Sequence, residues 1–148
     1  MASRRKGRIL AFQALYAWDV QYRKAGNTSI PEDLFGFSWA ENNKPLDEKM
    51  AAFSRLLLTG TVENIAVIDN MIKSHLQNWD IKRLNLVDLA VLRMSVYTLM
   101  FQTDMASSIV IDEAIEISRE FGTDDSYRFV NGVLDAVLNS IRKGEESK

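Results

Sequence analysis

Apolar residues along this chain recur at three- and four-residue spacings, and no stretch alternates with period two for long enough to build a sheet. The pattern predicts an all-α protein, a compact bundle of about six or seven helices. A first helix is expected from Ser3, a good N-cap residue, to about Lys24. Between Ile9 and Val20 only Gln13 and Asp19 interrupt its apolar surface, which predicts a buried helix. Gly26-Asn27 ends it, and Pro31 to Phe37 suits a short helix. Asn42-Asn43-Lys44-Pro45 reads as a loop, because the residue before proline disfavours helix.

From Asp47 to about Leu76, Phe53, Leu57, Ile65, Ile68 and Ile72 fall at helical spacing. Thr59-Gly60-Thr61 inside that run marks a kink or a boundary between two helices. Asn78 to Leu84 reads as a connecting turn. Asn85 is positioned to cap a helix from Leu86 to about Phe101, whose only charges are Asp88 and Arg93. Such charge poverty predicts a central helix, with Arg93 paired to a carboxylate such as Glu113 or Glu116. Ser107 or Ser108 caps the next helix, whose inner face is Val110, Ile111, Ala114, Ile115, Ser118 and Phe121. Gly122 is placed to end it in the left-handed conformation, and Thr123 to cap the last helix. That helix carries the stripe Phe129, Val130, Val133, Leu134, Val137, Leu138 and Ile141, before a tail at 144–148 expected to fray.

At 148 residues the chain is long enough for one domain with a real core, and its 47% hydrophobic content is ordinary for a globular protein. No apolar run is long enough to span a bilayer. The absence of cysteine excludes disulfides, thiolate catalysis and cysteine metal sites, and fits a cytoplasmic location. Net charge is −2, yet Arg4, Arg5, Lys6 and Arg8 crowd the first eight residues without an acid. This asymmetry suits a basic arm for a polyanion, or a solvated terminus.

Catalytic chemistry is sparse. His75, the only histidine, is expected near a helix end, where it suits a dipole partner or a surface residue. Asp112, Glu113 and Glu116 share a helical turn but lack a second set of ligands, so neither a metal nor another cofactor is expected. Recognition remains. Arginine grips phosphate and stacks on bases. Phe129 is either a stacking surface for an unpaired base or the start of an apolar stripe. Asp125 and Asp88 each suit the first turn of a helix.

Three segments in order, SRRKGRILAFQALYAWDV, LVDLAVLRMSVYTL and IVIDEAIEISREFGTDDSYRFVNGVLDAV, closely resemble the NusB family, over roughly Arg4 to Ile141. The resemblance implies two sub-bundles sharing the first helix, in a single RNA-binding domain over 1–148. It implies a transcription antitermination factor that binds boxA single-stranded RNA with the ribosomal protein NusE, as part of an RNA polymerase antitermination complex acting on ribosomal RNA transcription. Carried over residue by residue, it places Arg4, Arg5, Lys6, Arg8, Asp125 and Phe129 at RNA, and Tyr16 and Asp88 at NusE. The fold also resembles the N-terminal domain of certain ribosomal RNA cytosine methyltransferases, a reading that requires a second domain. A helical adaptor that binds only protein is the third alternative.

Overall fold

A computed structural model describes residues 2–21, 29–37, 39, 47–76 and 80–146. The expected break at Gly26-Asn27 and the loop at Asn42–Pro45 lie outside these residues. The described residues form seven α-helices and one 3-10 turn, with no strand among them. They are α1 (Ala2–Gln21), α2 (Glu32–Phe35), α3 (Glu48–Glu63), α4 (Ile65–Lys73), α5 (Leu86–Phe101), α6 (Ser107–Phe121) and α7 (Ser126–Glu146), with the 3-10 turn at Ile81–Arg83 before α5. The chain divides into two compact units, residues 1–63 and 64–148.

In the first unit α1 packs along α3, and α2 closes against α1. Leu10, Phe12, Leu15 and Trp18 of α1 are buried, as are Leu57 and Leu58 of α3. The α1–α3 approach depends on Gly7. A Cβ there would stand 3.0 Å from Phe53 Cδ2 and 3.2 Å from Ser54 Oγ. The buried Ser54 hydroxyl lies 2.8 Å from the Gly7 carbonyl, tying the two helices at that point. The indole of Trp18 donates to the Ser29 carbonyl at 3.2 Å. Phe37 follows α2 with a left-handed φ of 55°, and its ring is fully buried. Burial of that ring offsets a backbone cost of about 1–2 kcal/mol.

Helix α1 begins at Ala2, so Ser3 lies within it rather than before it. Its burial also departs from the polarity of its sequence. Asp19 is buried, whereas Tyr16 and Val20 are exposed. The expected boundary at Thr59-Gly60-Thr61 is displaced. Gly60 and Thr61 are buried inside α3, and the helix breaks instead at Asn64.

In the second unit α5 is the central element, packed on by α4, α6 and α7. All twelve residues from Asp88 to Leu99 are buried. The Asn85 side chain caps it, accepting from the Val87 N–H at 2.8 Å. Arg93 pairs not with α6 but with Asp69 of α4: Nε and Nη2 donate to the two carboxylate oxygens at 2.9 and 3.0 Å. Asp69 lies on the same face of α4 as the buried Ile68 and Ile72, and so reaches inward. Glu116 instead pairs on the surface with Arg119 of its own helix.

Neither Ser107 nor Ser108 caps α6. The cap position is Ala106, and the Ser107 hydroxyl instead accepts from Arg142 Nη2 of α7 at 3.3 Å. Ile117 is fully buried on α6, where Ile115 and Phe121 are only partly covered. The last helix continues to Glu146, past the point where fraying was expected; residues 147–148 lie outside the described set.

Breaking the Asp69–Arg93 pair from one side leaves a buried charge without its partner. Asp69→Ala is therefore expected to cost about 3–5 kcal/mol, and Asp69→Leu with Arg93→Met much less than the sum of the two single changes. Urea denaturation of the single and double variants measures the difference.

Candidate functional site

The basic residues near the N-terminus occupy the first two turns of α1, not an arm ahead of the fold. Helical geometry separates them. The guanidiniums of Arg4 and Arg8 both stand over the Phe53 ring, 4.7 and 5.4 Å from its centroid. Arg8 is only 7% exposed, while Arg4, Arg5 and Lys6 are exposed. Tyr16, 39% exposed, follows Arg5 by eleven residues. At 100° per residue that spacing returns to nearly the same face, about 16 Å along the helix. Arg5, Tyr16 and the exposed Val20 thus form one stripe on α1. Beside it Gln13 accepts a hydrogen bond from the Trp39 indole at 3.1 Å.

The other predicted residues meet in the second unit. Asp88, Asp125 and Phe129 line one cavity of about 350 Å³, together with Arg83, Leu84 and Ser126. It opens where the start of α5 faces the start of α7. Asp88 is 7% exposed, and its Oδ1 has no hydrogen-bond partner among the described residues. Burial pushes its carboxyl up from the ordinary carboxylate value, and the Ser126 hydroxyl pulls in the opposite direction. Asp125 is exposed and Phe129 is half-buried. The sequence placed Asp88 apart from Asp125 and Phe129; packing of α7 on α5 brings them together. Arg83 and Ser126 were not anticipated as lining residues, because the pairing of α5 with α7 leaves no mark in local periodicity.

The turn that enters α7 fixes this geometry. Gly122 ends α6 in an extended conformation, φ −94° and ψ −166°, and not in the left-handed one. Glycine is required there by proximity. A Cβ would come within 2.6 Å of Ser126 Cβ and 2.7 Å of the Ser118 carbonyl. Ser126 Oγ accepts from the Thr123 N–H at 2.9 Å, so Thr123 and Ser126 close a turn ahead of the regular helix, which begins at Ser126. Just outside it Tyr127 lies between two cations: Arg119 stands 4.7 Å from its ring centroid and Arg128 donates Nε to its hydroxyl at 3.0 Å.

Nothing in this arrangement resembles a nucleophile with its base. His75 Nδ1 lies 2.8 Å from the Met71 carbonyl, a local contact at the end of α4. Among the described residues no group of three or more His, Cys, Asp or Glu side chains is disposed to hold a metal. No single helix among them is long and apolar enough to cross a membrane.

An all-α chain thus presents an exposed cationic helix face with an aromatic beside it in one unit, and in the other a cavity lined by carboxylates and a half-buried ring. The profile of the NusB family matches residues 5–139, and the chain belongs to that family. It is 51% identical over 136 residues to the transcription antitermination protein NusB of Treponema denticola, covering 92% of this chain and 96% of that one. To the protein of the same name from Treponema pallidum it is 53% identical over 137 residues, covering 93% of each. The crystal structure of T. maritima NusB superposes with a TM-score of 0.77 at 35% identity, covering 92% of this chain and 90% of that one. A crystal structure of the antitermination factors NusB and NusE in complex with dsRNA superposes with a TM-score of 0.80 at 28% identity, covering 95% and 98%.

A carboxyl raised by burial binds its proton more tightly in the folded chain than in the unfolded one. The cost of its charge is absent below the ordinary value of 3.8 and grows as pH rises towards the folded value. Asp88→Asn is therefore expected to raise the urea midpoint at about pH 7, and the gain should shrink as the pH is lowered towards about 4.

Proposed function

We propose that this chain is an RNA-binding transcription antitermination factor that takes up boxA single-stranded RNA together with the ribosomal protein NusE during ribosomal RNA transcription. It works in the cytoplasm, as part of an RNA polymerase antitermination complex, by recognition without a catalytic step. Family membership supports the reading, as does the likeness to a NusB bound to NusE and RNA. The observation that carries it is the division of labour among the side chains. Exposed Arg4, Arg5 and Lys6 offer cations to phosphate from the turns of one rigid helix. Asp125 and the half-buried Phe129 offer an acceptor and a ring to a splayed base.

Arg8 serves the same surface from beneath. Buried against Phe53, it holds α1 to α3 and so steadies the turns that carry the exposed cations. Tyr16 is the aromatic anchor for NusE, a residue type favoured at interfaces. Asp88 supplies the second contact from the wall of the cavity it lines, where its carboxyl meets a donor from NusE.

Arg5→Ala with Lys6→Ala is expected to leave the protein folded. Each lost phosphate contact should flatten the log–log salt dependence of binding to single-stranded boxA RNA by roughly 0.7. Unchanged affinity and slope would favour a protein-only adaptor. NusE should tighten RNA binding, and RNA should tighten NusE binding, by the same factor, a coupling of about 1–3 kcal/mol. Asp88→Lys should remove that coupling in a chain that circular dichroism shows to be folded. Calorimetry with NusE, single-stranded RNA and a double-stranded control measures each of these.

A further inference from the structure

Gly132 lies in the second turn of α7, where glycine weakens a helix. Gly7 and Gly122 have a steric reason. Gly132 has none among the described residues: a Cβ built on it meets none of their atoms within 4 Å. The missing side chain instead leaves open a notch of about 370 Å³. His75, Leu76, Arg128, Phe129, Gly132 and Ala136 line it. Its volume falls within the roughly 300–1,000 Å³ of small-ligand sites.

The lining has two chemistries. Leu76, Ala136, the bare Gly132 backbone and the Phe129 ring make an apolar floor. Arg128 stands at the rim, exposed. Its Nε donates to the Tyr127 hydroxyl, which leaves the terminal nitrogens to meet a ligand. Asp125 is the acid within electrostatic reach of it, and Arg119 stands on the same tyrosine as a second cation. An apolar slot with an arginine at its edge matches a nucleotide: the base enters the slot and the phosphate meets the guanidinium. Phe129 also belongs to the Asp88 cavity, so its side chain forms a wall shared by two recesses.

We propose that the Gly132 notch is a second nucleotide subsite, which takes an unpaired base of the RNA strand neighbouring the one held beside Asp125, with Arg128 on its phosphate. This rests on the RNA-binding reading above. Gly132 is the specificity-determining position, because any larger side chain fills the slot without disturbing the fold.

The test uses the full chain and a fluorescein-labelled single-stranded boxA RNA, followed by anisotropy. A parallel set of strands carries one abasic nucleotide at each position in turn. Gly132→Ala should raise Tm, because it restores helix propensity. Gly132→Leu should remain helical by circular dichroism and lose about 5- to 150-fold in affinity, the worth of one stacked base. One abasic position should cost the natural chain the same factor and cost Gly132→Leu nothing more. Arg128→Gln should flatten the salt dependence by roughly 0.7. If Gly132→Leu binds as tightly as the natural chain, or if its loss adds in full to that of every abasic position, the subsite is wrong and the RNA-binding reading stands. An unchanged salt slope in Arg128→Gln removes the phosphate contact. Failure of the natural chain to bind the intact strand would overturn the subsite and the reading together.

Discussion

A charge carried into a helix buried along most of its length is costly unless it is paired, and the pairing of one such charge organises the second unit. α5 carries an arginine into the interior at Arg93. Its planar fork is met by both oxygens of Asp69, so the charge, the donor count and the orientation are satisfied at once. The pair fixes the rotation of α4 about its axis relative to α5. With that face settled, Ile68 and Ile72 fall inward. α6 and α7 pack on the remaining faces of α5. The position of α7 in turn decides whether Phe129 reaches the cavity beside Asp88. A buried ion pair adds little net stability compared with well-packed apolar residues, but it makes alternative packings costly.

Asp88 is the other acid of α5, and it is treated in the opposite way. Its carboxylate is buried without a full set of donors. A protein that needed only stability would have an amide or an apolar group here. Asp88 lines the cavity it shares with Asp125 and Phe129, within the part of the molecule that the family resemblance assigns to recognition. A buried acceptor left without a donor costs about 1–3 kcal/mol.

Periodicity revealed the helices well. The extent of α5 and its Asn85 cap were readable because charge poverty and a cap residue are local signals. The stripe of α7 was readable at Val130, Val133, Leu134 and Val137 for the same reason. What local patterns could not reveal was pairing between elements. Arg93 had carboxylates available on α4 and α6, and only tertiary packing selects Asp69. The meaning of glycine was hidden too: Gly7 and Gly122 answer to neighbours distant from them or across a turn, and a left-handed φ was the wrong reason for Gly122. The family resemblance named Arg4, Arg5, Lys6 and Arg8 as a set. Helical geometry divides them, because a 100° step sends Arg4 and Arg8 towards Phe53 and turns Arg5 away.

The stripe that joins Arg5 to Tyr16 has a consequence for how this protein can change. A helix is a screw, and distance along it cannot be altered without also altering direction. One residue added between those two positions would lengthen the span by only about 1.5 Å but swing Tyr16 through about 100°, off the line of Arg5. Substitutions within the stripe alter chemistry one side chain at a time, whereas any single insertion or deletion alters the alignment of everything beyond it. The first helix is therefore expected to keep its length wherever Arg5 and Tyr16 stay on one line, even where its other residues drift.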